Sequence, residues 1–216
     1  LDRMARGARL SVLNVLIFAG ATIFVQDDPT QTFYILKEGG IKISQLTPAD
    51  DQIVIRYLGD GDMVGCIVLS GMTVYPATGN AVGPCTLIRC SRKPMGDLVE
   101  CHPELATNTL TTVAMRMREL QERLGELAND RVERRIARTM LRLVVQAGER
   151  ADDGTRIDFP ISRQDIADMT GTTLHTVSRT LSGWEGHGLV KLGLRKVTVT
   201  DVDGIAYIGG RIQEVA

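Results

Sequence analysis

The sequence predicts an α+β chain in three parts: an N-terminal antiparallel β-roll, one long helix, and a C-terminal helical domain that closes with a two-stranded wing. Three observations predict it. Residues 12–90 run as short β-rich stretches punctuated by Gly, Pro and Asp; residues 106–127 repeat apolar side chains every 3.5 positions; and residues 161–200 join two helical stretches to a strand pair. The expected divisions are 1–102, 103–129 and 130–216.

Within the roll the β-rich runs are Thr22 to Val25, Thr32 to Leu36, Ile41 to Leu46, Gln52 to Leu58, Gly79 to Val82 and Thr86 to Cys90. Short strands of this kind joined by turns suit an antiparallel roll or sandwich. Glycines 39, 40, 59, 61 and 65 are expected at corners, where a strand bends sharply.

Pro103 can open the long helix. Along it Ala106, Leu110, Val113, Met117, Leu120, Leu124 and Leu127 are spaced 4-3-4-3-4-3, the seam of a coiled coil. Three heptads of seam cannot bury themselves alone, so a parallel homodimer about this helix is expected. Asn129 and Asp130 read as a hinge, after which Val132, Ile136, Met140, Leu143, Val144 and Ala147 form the inner face of a further helix.

The composition agrees with a folded chain. At 216 residues, 44% hydrophobic and 24% charged, it can form two modest domains and is neither disordered nor fibrous. The apolar region from Leu10 to Val25 is interrupted by Ser11, Asn14 and Thr22, so no membrane span is expected; Leu1 is read as the start of a soluble, cytoplasmic chain lacking a few N-terminal residues. Net charge is −1, but residues 1–130 carry 12 basic against 15 acidic side chains, and 131–200 carry 12 against 8. An acidic front and a basic back suit a sensor joined to a module that binds a polyanion. Cys66, Cys85, Cys90 and Cys101 contain no C-x-x-C pair and read as small apolar side chains in a reducing compartment, with no metal site.

The segment from Ile161 to Trp184 carries the strongest local signal. Ser162 can cap a first helix while Asp165 answers from the third position. Counted from Arg163, Ala167, Gly171 and Val177 fall at the fifth, ninth and fifteenth places of a helix-turn-helix: Ala lets the helices approach, Gly permits the left-handed turn, and Val faces the core. Thr173 caps the second helix, whose outer face carries Leu174, His175, Ser178 and Arg179.

In a DNA major groove Arg179 is long enough to take guanine O6 and N7 together, with His175 and Ser178 near the groove floor. Arg163, Thr172 and Thr173 are placed for phosphates. Gly188 to Thr200 reads as two strands around a Gly193 turn, with Lys191, Arg195 and Lys196 available for the DNA backbone and Trp184 packed between helix and wing. No nucleophile with a local His/Asp arrangement, no phosphate loop and no zinc spacing is present, so an enzyme is not expected.

This order of parts resembles the bacterial superfamily of the cyclic-AMP receptor protein and the fumarate and nitrate reduction regulator. Its turns are matched by Phe18 to Asp28, Tyr34 to Gly39 and Leu58 to Gly65, and its recognition-helix pair by Ser178-Arg179. The resemblance implies a cyclic-nucleotide-binding-like jelly roll, a dimeric transcription regulator on double-stranded DNA with an inverted-repeat operator, and contact with RNA polymerase if it activates. Cyclic-nucleotide control is not expected, because Cys66-Ile67 stands in place of the family's Glu and Tyr75-Pro76 in place of its basic pair. An iron-sulfur cluster is not expected either, since no cysteine precedes Cys66.

The string from Gly171 to Glu185 is similar to regulators of nitrite and nitric oxide reductase genes. That likeness implies control by nitric oxide or related redox signals, with haem as the cofactor to weigh and His102, at the junction of roll and helix, as its axial ligand. An unidentified ligand in the hydrophobic interior of the roll is the other expectation. A rival reading is a ligand-binding regulatory subunit whose winged helix makes protein contacts.

Overall fold

The computed structural model describes residues 13–48, 51–70, 72–91 and 103–210. They form two compact units, one within 1–45 and 58–124, the other within 46–57 and 125–216. The expected His102 and Cys101 lie outside the described residues.

The first half is built from eight strands: β1 (Leu13–Ile17), β2 (Thr22–Phe24), β3 (Thr32–Glu38), β4 (Ile41–Leu46), β5 (Gln52–Leu58), β6 (Met63–Val64), β7 (Thr78–Ala81) and β8 (Cys85–Ser91), with a 3-10 turn at Cys66–Ser70. They make two four-stranded sheets, ordered β1-β8-β3-β6 and β2-β7-β4-β5. The expected runs correspond to strands within a residue or two. β1 and β6 are the additions: β1 has little apolar–polar alternation and is a strand through its pairing with β8 at the sheet edge, and β6 is two residues long and pairs with β3.

Leu36, Ile41, Leu58, Val64, Ala81, Cys85 and Leu87 form one buried cluster between strands. Gly39 shows why a corner here needs glycine. Its φ is +106°, and an added Cβ would stand 2.6 Å from the Pro84 carbonyl oxygen. Gly61 and Gly65 also have positive φ; Gly40 and Gly59 are not among the positive-φ glycines.

The long helix, α1, runs Glu104–Asn129. The large seam side chains are open to solvent, from 48% at Val113 to 70% at Leu110, and Ala106 is exposed as well. The two units divide within α1, at Leu124/Gly125. The last turn of α1 carries ion pairs. Glu126, 7% exposed at its side chain, accepts from Arg142 at 2.7 Å, and Asp130 forms an ion pair with Arg138 at 2.9 Å, so the last turn of α1 is held to the following helix. Asn129 is the last residue of α1; Asp130 and Arg131 separate it from the following helix, and Asp130 is tied down by its ion pairs.

The second half contains α2 (Val132–Ala147), strands β9 (Gly148–Ala151) and β10 (Gly154–Ile157), α3 (Arg163–Thr170), α4 (Leu174–Gly186), strands β11 (Val190–Gly193) and β12 (Lys196–Val199), and α5 (Val202–Ile208). The four strands pair as β11-β12-β10-β9, so the wing belongs to a larger sheet than the two strands expected. Ile136, Met140 and Leu143 are fully buried on the inner face of α2, with Val132, Val144 and Ala147 partly buried.

Candidate nucleic-acid interface

The helix-turn-helix follows from its end residues. Ser162 Oγ accepts from the Asp165 N–H at 3.0 Å while Asp165 Oδ2 accepts from the Ser162 N–H at 2.8 Å, the reciprocal capping box expected. Gly171 ends α3 in the left-handed conformation, φ +58°, and its N–H bonds back to the Ala167 carbonyl. Thr173 Oγ1 accepts from the Thr176 N–H at 3.2 Å and starts α4. Gly171, Thr172 and Thr173 are the three residues in which the chain turns between the helices.

The inner face of α4 is Val177, Leu181 and Trp184, at 0%, 0% and 4% exposure. His175 and Arg179 are exposed on the other side, with Ser178 half-buried beside them and Leu174 exposed at the start of the helix. These four side chains share the face the sequence assigns to them. Trp184 is buried as expected, and its indole N–H donates to Glu133 on α2.

The wing tip is corrected by one step. Gly193 pairs with Lys196, so Leu194 and Arg195 form the turn, with Arg195 in the left-handed region at φ +54°. The Arg195 carbonyl accepts from the Ile161 N–H at 3.0 Å, binding the tip to the segment that starts α3. A cleft of about 460 Å³ results between the start of α3, the start of α4 and the wing. Arg163, Arg195 and Lys196 line it together with Leu174 and Leu194, so three cations expected at the DNA backbone share one concavity.

Lys191 and Thr172 do not line this cleft. Lys191 Nζ meets Asp153 of the β9–β10 turn at 2.6 Å. Hydrogen bonding to Lys191 holds the Asp153 carboxyl below its usual range, and Asp153 raises the Lys191 ammonium correspondingly. Both side chains are exposed, so water and phosphate can compete for the lysine. Thr172, half-buried, donates its N–H to the Ala167 carbonyl, and Thr173 stands at the cap.

In the roll, aromatic and apolar side chains pack together around Tyr75. Phe33, Val68, Tyr75 and Cys90 form a buried cluster, and the Tyr75 ring stacks on Phe24 with centroids 4.4 Å apart. The Tyr75 hydroxyl donates to the Thr32 carbonyl. Tyr75, which the sequence sets in place of the family's basic pair, brings an aromatic ring and a hydroxyl and no positive charge of its own.

Sequence reasoning missed Arg116, because its partner Cys66 lies 50 positions away in the chain. Arg116 comes from α1 and donates to Cys66 Sγ at 3.2 Å and to the Met63 carbonyl at 3.0 Å, with Asp62 at 3.9 Å. Burial raises the Cys85 and Cys90 thiols above their ordinary range. Of the described histidines, His187 is exposed, with Nδ1 2.7 Å from the Gly183 carbonyl oxygen. Among the described residues no group of three His, Cys, Asp or Glu side chains could hold a metal ion, and no helix is long and apolar enough to cross a membrane.

A sensor-type β-roll, a long helix and a doubly capped helix-turn-helix with a wing define a DNA-binding regulator. Residues 17–102 match the cyclic nucleotide-binding domain and residues 134–208 the Crp-like helix-turn-helix domain. The chain belongs to the superfamily of the cyclic-AMP receptor protein and the fumarate and nitrate reduction regulator, and is a DNA-binding transcription regulator of that type. It is 29% identical over 178 residues to the nitrogen fixation regulation protein FixK of Bradyrhizobium diazoefficiens, covering 81% of this chain and 72% of that one. Identity to the CRP-like cAMP-activated global transcriptional regulator of Mycobacterium tuberculosis is 22% over 187 residues, 87% of this chain and 84% of the other. The solved structure of FixK2 from Bradyrhizobium japonicum matches with a TM-score of 0.81 at 18% identity, over 94% of this chain and all of that one.

Proposed function

We propose that the chain acts as a homodimer that reads an inverted repeat in double-stranded DNA through α4, under control of an effector sensed by the roll (1–102) and relayed through α1. The observation that carries this reading is the row of exposed His175 and Arg179 with half-buried Ser178 on a helix whose opposite face is buried and whose start is capped. Arg179 takes a guanine edge. His175 and Ser178 read neighbouring positions, while Arg163, Thr172, Thr173, Lys191, Arg195 and Lys196 hold phosphates. Two copies joined along the Ala106–Leu127 seam would present their α4 helices one DNA turn apart, roughly 34 Å.

The effector we assign is nitric oxide or a related redox signal, on the likeness of residues 171–185 to regulators of nitrite and nitric oxide reductase genes; a cyclic nucleotide finds Tyr75 in its place. Haem held by His102 is the cofactor of this proposal, and RNA polymerase the partner if the protein activates.

The test is a mobility-shift titration on duplexes selected from random sequence by the purified protein. Arg179→Ala should lose on the order of 10-fold to 150-fold in specific affinity while retaining salt-sensitive binding to unrelated DNA. Unchanged affinity removes Arg179 from the interface. Repeating the titration with nitric oxide, with haem and with cyclic AMP tests the effector, and a response to cyclic AMP alone overturns the assignment.

A further inference from the structure

Four arginines lie along α2, and three of them meet carboxylates. Arg142 bonds both oxygens of Glu126 at 2.7 and 3.0 Å, Arg138 reaches Asp130 at 2.9 Å, and Arg134 reaches Asp130 at 3.3 Å. Arg135 bonds differently. Its Nε donates to the Thr170 carbonyl at 2.9 Å, its Nη1 to the Asp130 carbonyl at 2.9 Å, and its Nη2 to the Gly171 carbonyl at 3.4 Å.

Thr170 is the last residue of α3, and Gly171 is the left-handed residue of the turn. Carbonyls at a helix end lack intrahelical donors and carry the negative pole of the helix dipole, so a cation there is favourable. A guanidinium does more than supply charge. Its donors are coplanar and fixed in direction, so bonding carbonyls of the turn and of Asp130 together sets the turn at one angle to the start of α2.

Only Thr172 and Thr173 separate Gly171 from the first residue of α4, and rotation of the turn re-aims the whole helix. Leu127 Cδ2 stands 3.0 Å from where a Gly171 Cβ would be, so an apolar side chain also packs at the turn.

We infer that Arg135 is a positioning residue for DNA recognition: its fork on the Thr170 and Gly171 carbonyls fixes the angle at which α4 presents His175, Ser178 and Arg179. The inference rests on the reading of α4 as the DNA-contacting helix. The clamp is separable from folding, because Gly171 is exposed and water can replace the donor there, whereas the apolar core of α2, Ile136, Met140 and Leu143, is untouched. Loss of the fork relaxes geometry more than it unfolds the domain.

The experiment uses the full chain as wild type, Arg135→Lys and Arg135→Gln, with the duplex selected by the wild type and a scrambled duplex as probes, read by fluorescence anisotropy over a salt series beside thermal unfolding. A lysine keeps the charge and three donors, but they radiate from one nitrogen and cannot reproduce the planar fork. In both variants binding to the scrambled duplex should stay within about twofold, while affinity for the selected duplex falls by about tenfold or more. An unchanged ratio of selected to scrambled affinity overturns the inference, as does a loss that only follows the folded fraction. A wild-type protein that prefers no duplex overturns the DNA reading and this inference with it; the variants discriminate only when the wild type selects.

Discussion

The indole N–H of Trp184 donates to Glu133 Oε1 across 3.1 Å, tying the recognition helix to α2 by a polar bond as well as by its buried ring. The two contributions can be separated. Trp184→Phe keeps most of the apolar volume and should cost about 1 kcal/mol, whereas Trp184→Ala should cost about 3–5 kcal/mol. Urea unfolding of the three proteins checks this; equal losses would mean that the ring's packing contributes little.

Glu126 is the acidic centre of the ionic cluster at the end of α1. Removing it by Glu126→Ala leaves Arg142, 17% exposed at its side chain, without its carboxylate, a change expected to cost about 3–5 kcal/mol. Glu126→Ala combined with Arg142→Ala should cost less than the sum of the single changes. Additive losses in a double-mutant cycle would show that the pair does not couple.

Stability should fall in alkali. Tyr57 is 1% exposed and its ring stacks on Phe159 at 4.3 Å. Burial first, then the charge of Asp165, raises the phenol far above its ordinary range. A group whose folded pKa is raised keeps its proton in the native state after the unfolded chain has lost it, so its contribution is complete below the unfolded value and is lost as pH rises above it. The raised Cys85 and Cys90 thiols act in the same direction, starting from about 8.5, and Tyr57 from about 10. Urea midpoints should hold to about pH 8 and then decline, and Tyr57→Phe should flatten the limb above about pH 10. A Tyr57→Phe profile that declines as steeply as the wild type removes this cause.

The seam makes a prediction about assembly. Met117 and Leu120 are 61% and 52% exposed on neighbouring turns of α1. Glutamates at both positions would set like charges against each other in a paired seam, so the double change should convert a dimer into a monomer in sedimentation equilibrium while leaving the thermal midpoint of each unit nearly unchanged. A wild-type protein that sediments as a monomer defeats the pairing itself.

His175 sets a further expectation. A glutamate accepts from cytosine N4, whereas a neutral imidazole can donate to a purine N7 or O6, so His175→Glu should alter one base of the selected half-site. An unchanged consensus from random duplexes would show that His175 does not read a base.

The helix-turn-helix was legible because its determinants are local. Ser162 and Asp165 cap each other across three positions, Gly171 alone suits the left-handed turn, and Val177 and Leu181 follow the helical period. The β9–β10 hairpin was less legible, since Gly148–Ala151 has little apolar patterning of its own and is a strand because β10 pairs with it. The wing tip moved from Gly193 to Leu194-Arg195 for a related reason: the strand register, and not the position of the glycine, decides where the chain turns.

By itself the sequence determined the succession of roll, long helix and winged helix, and the identity of the outward row on α4, because period and capping are set by residues within a few positions of each other. Only the tertiary structure decided that Arg116 lies against Cys66, that Tyr75 fills the roll beside Phe24, that the end of α1 is joined to α2 by Glu126, and that Arg135 clamps a turn 35 positions away. Those contacts join groups far apart in the chain. Which distant carbonyl or ring a side chain meets depends on how the whole chain packs, and no local pattern of charge or hydrophobicity encodes it.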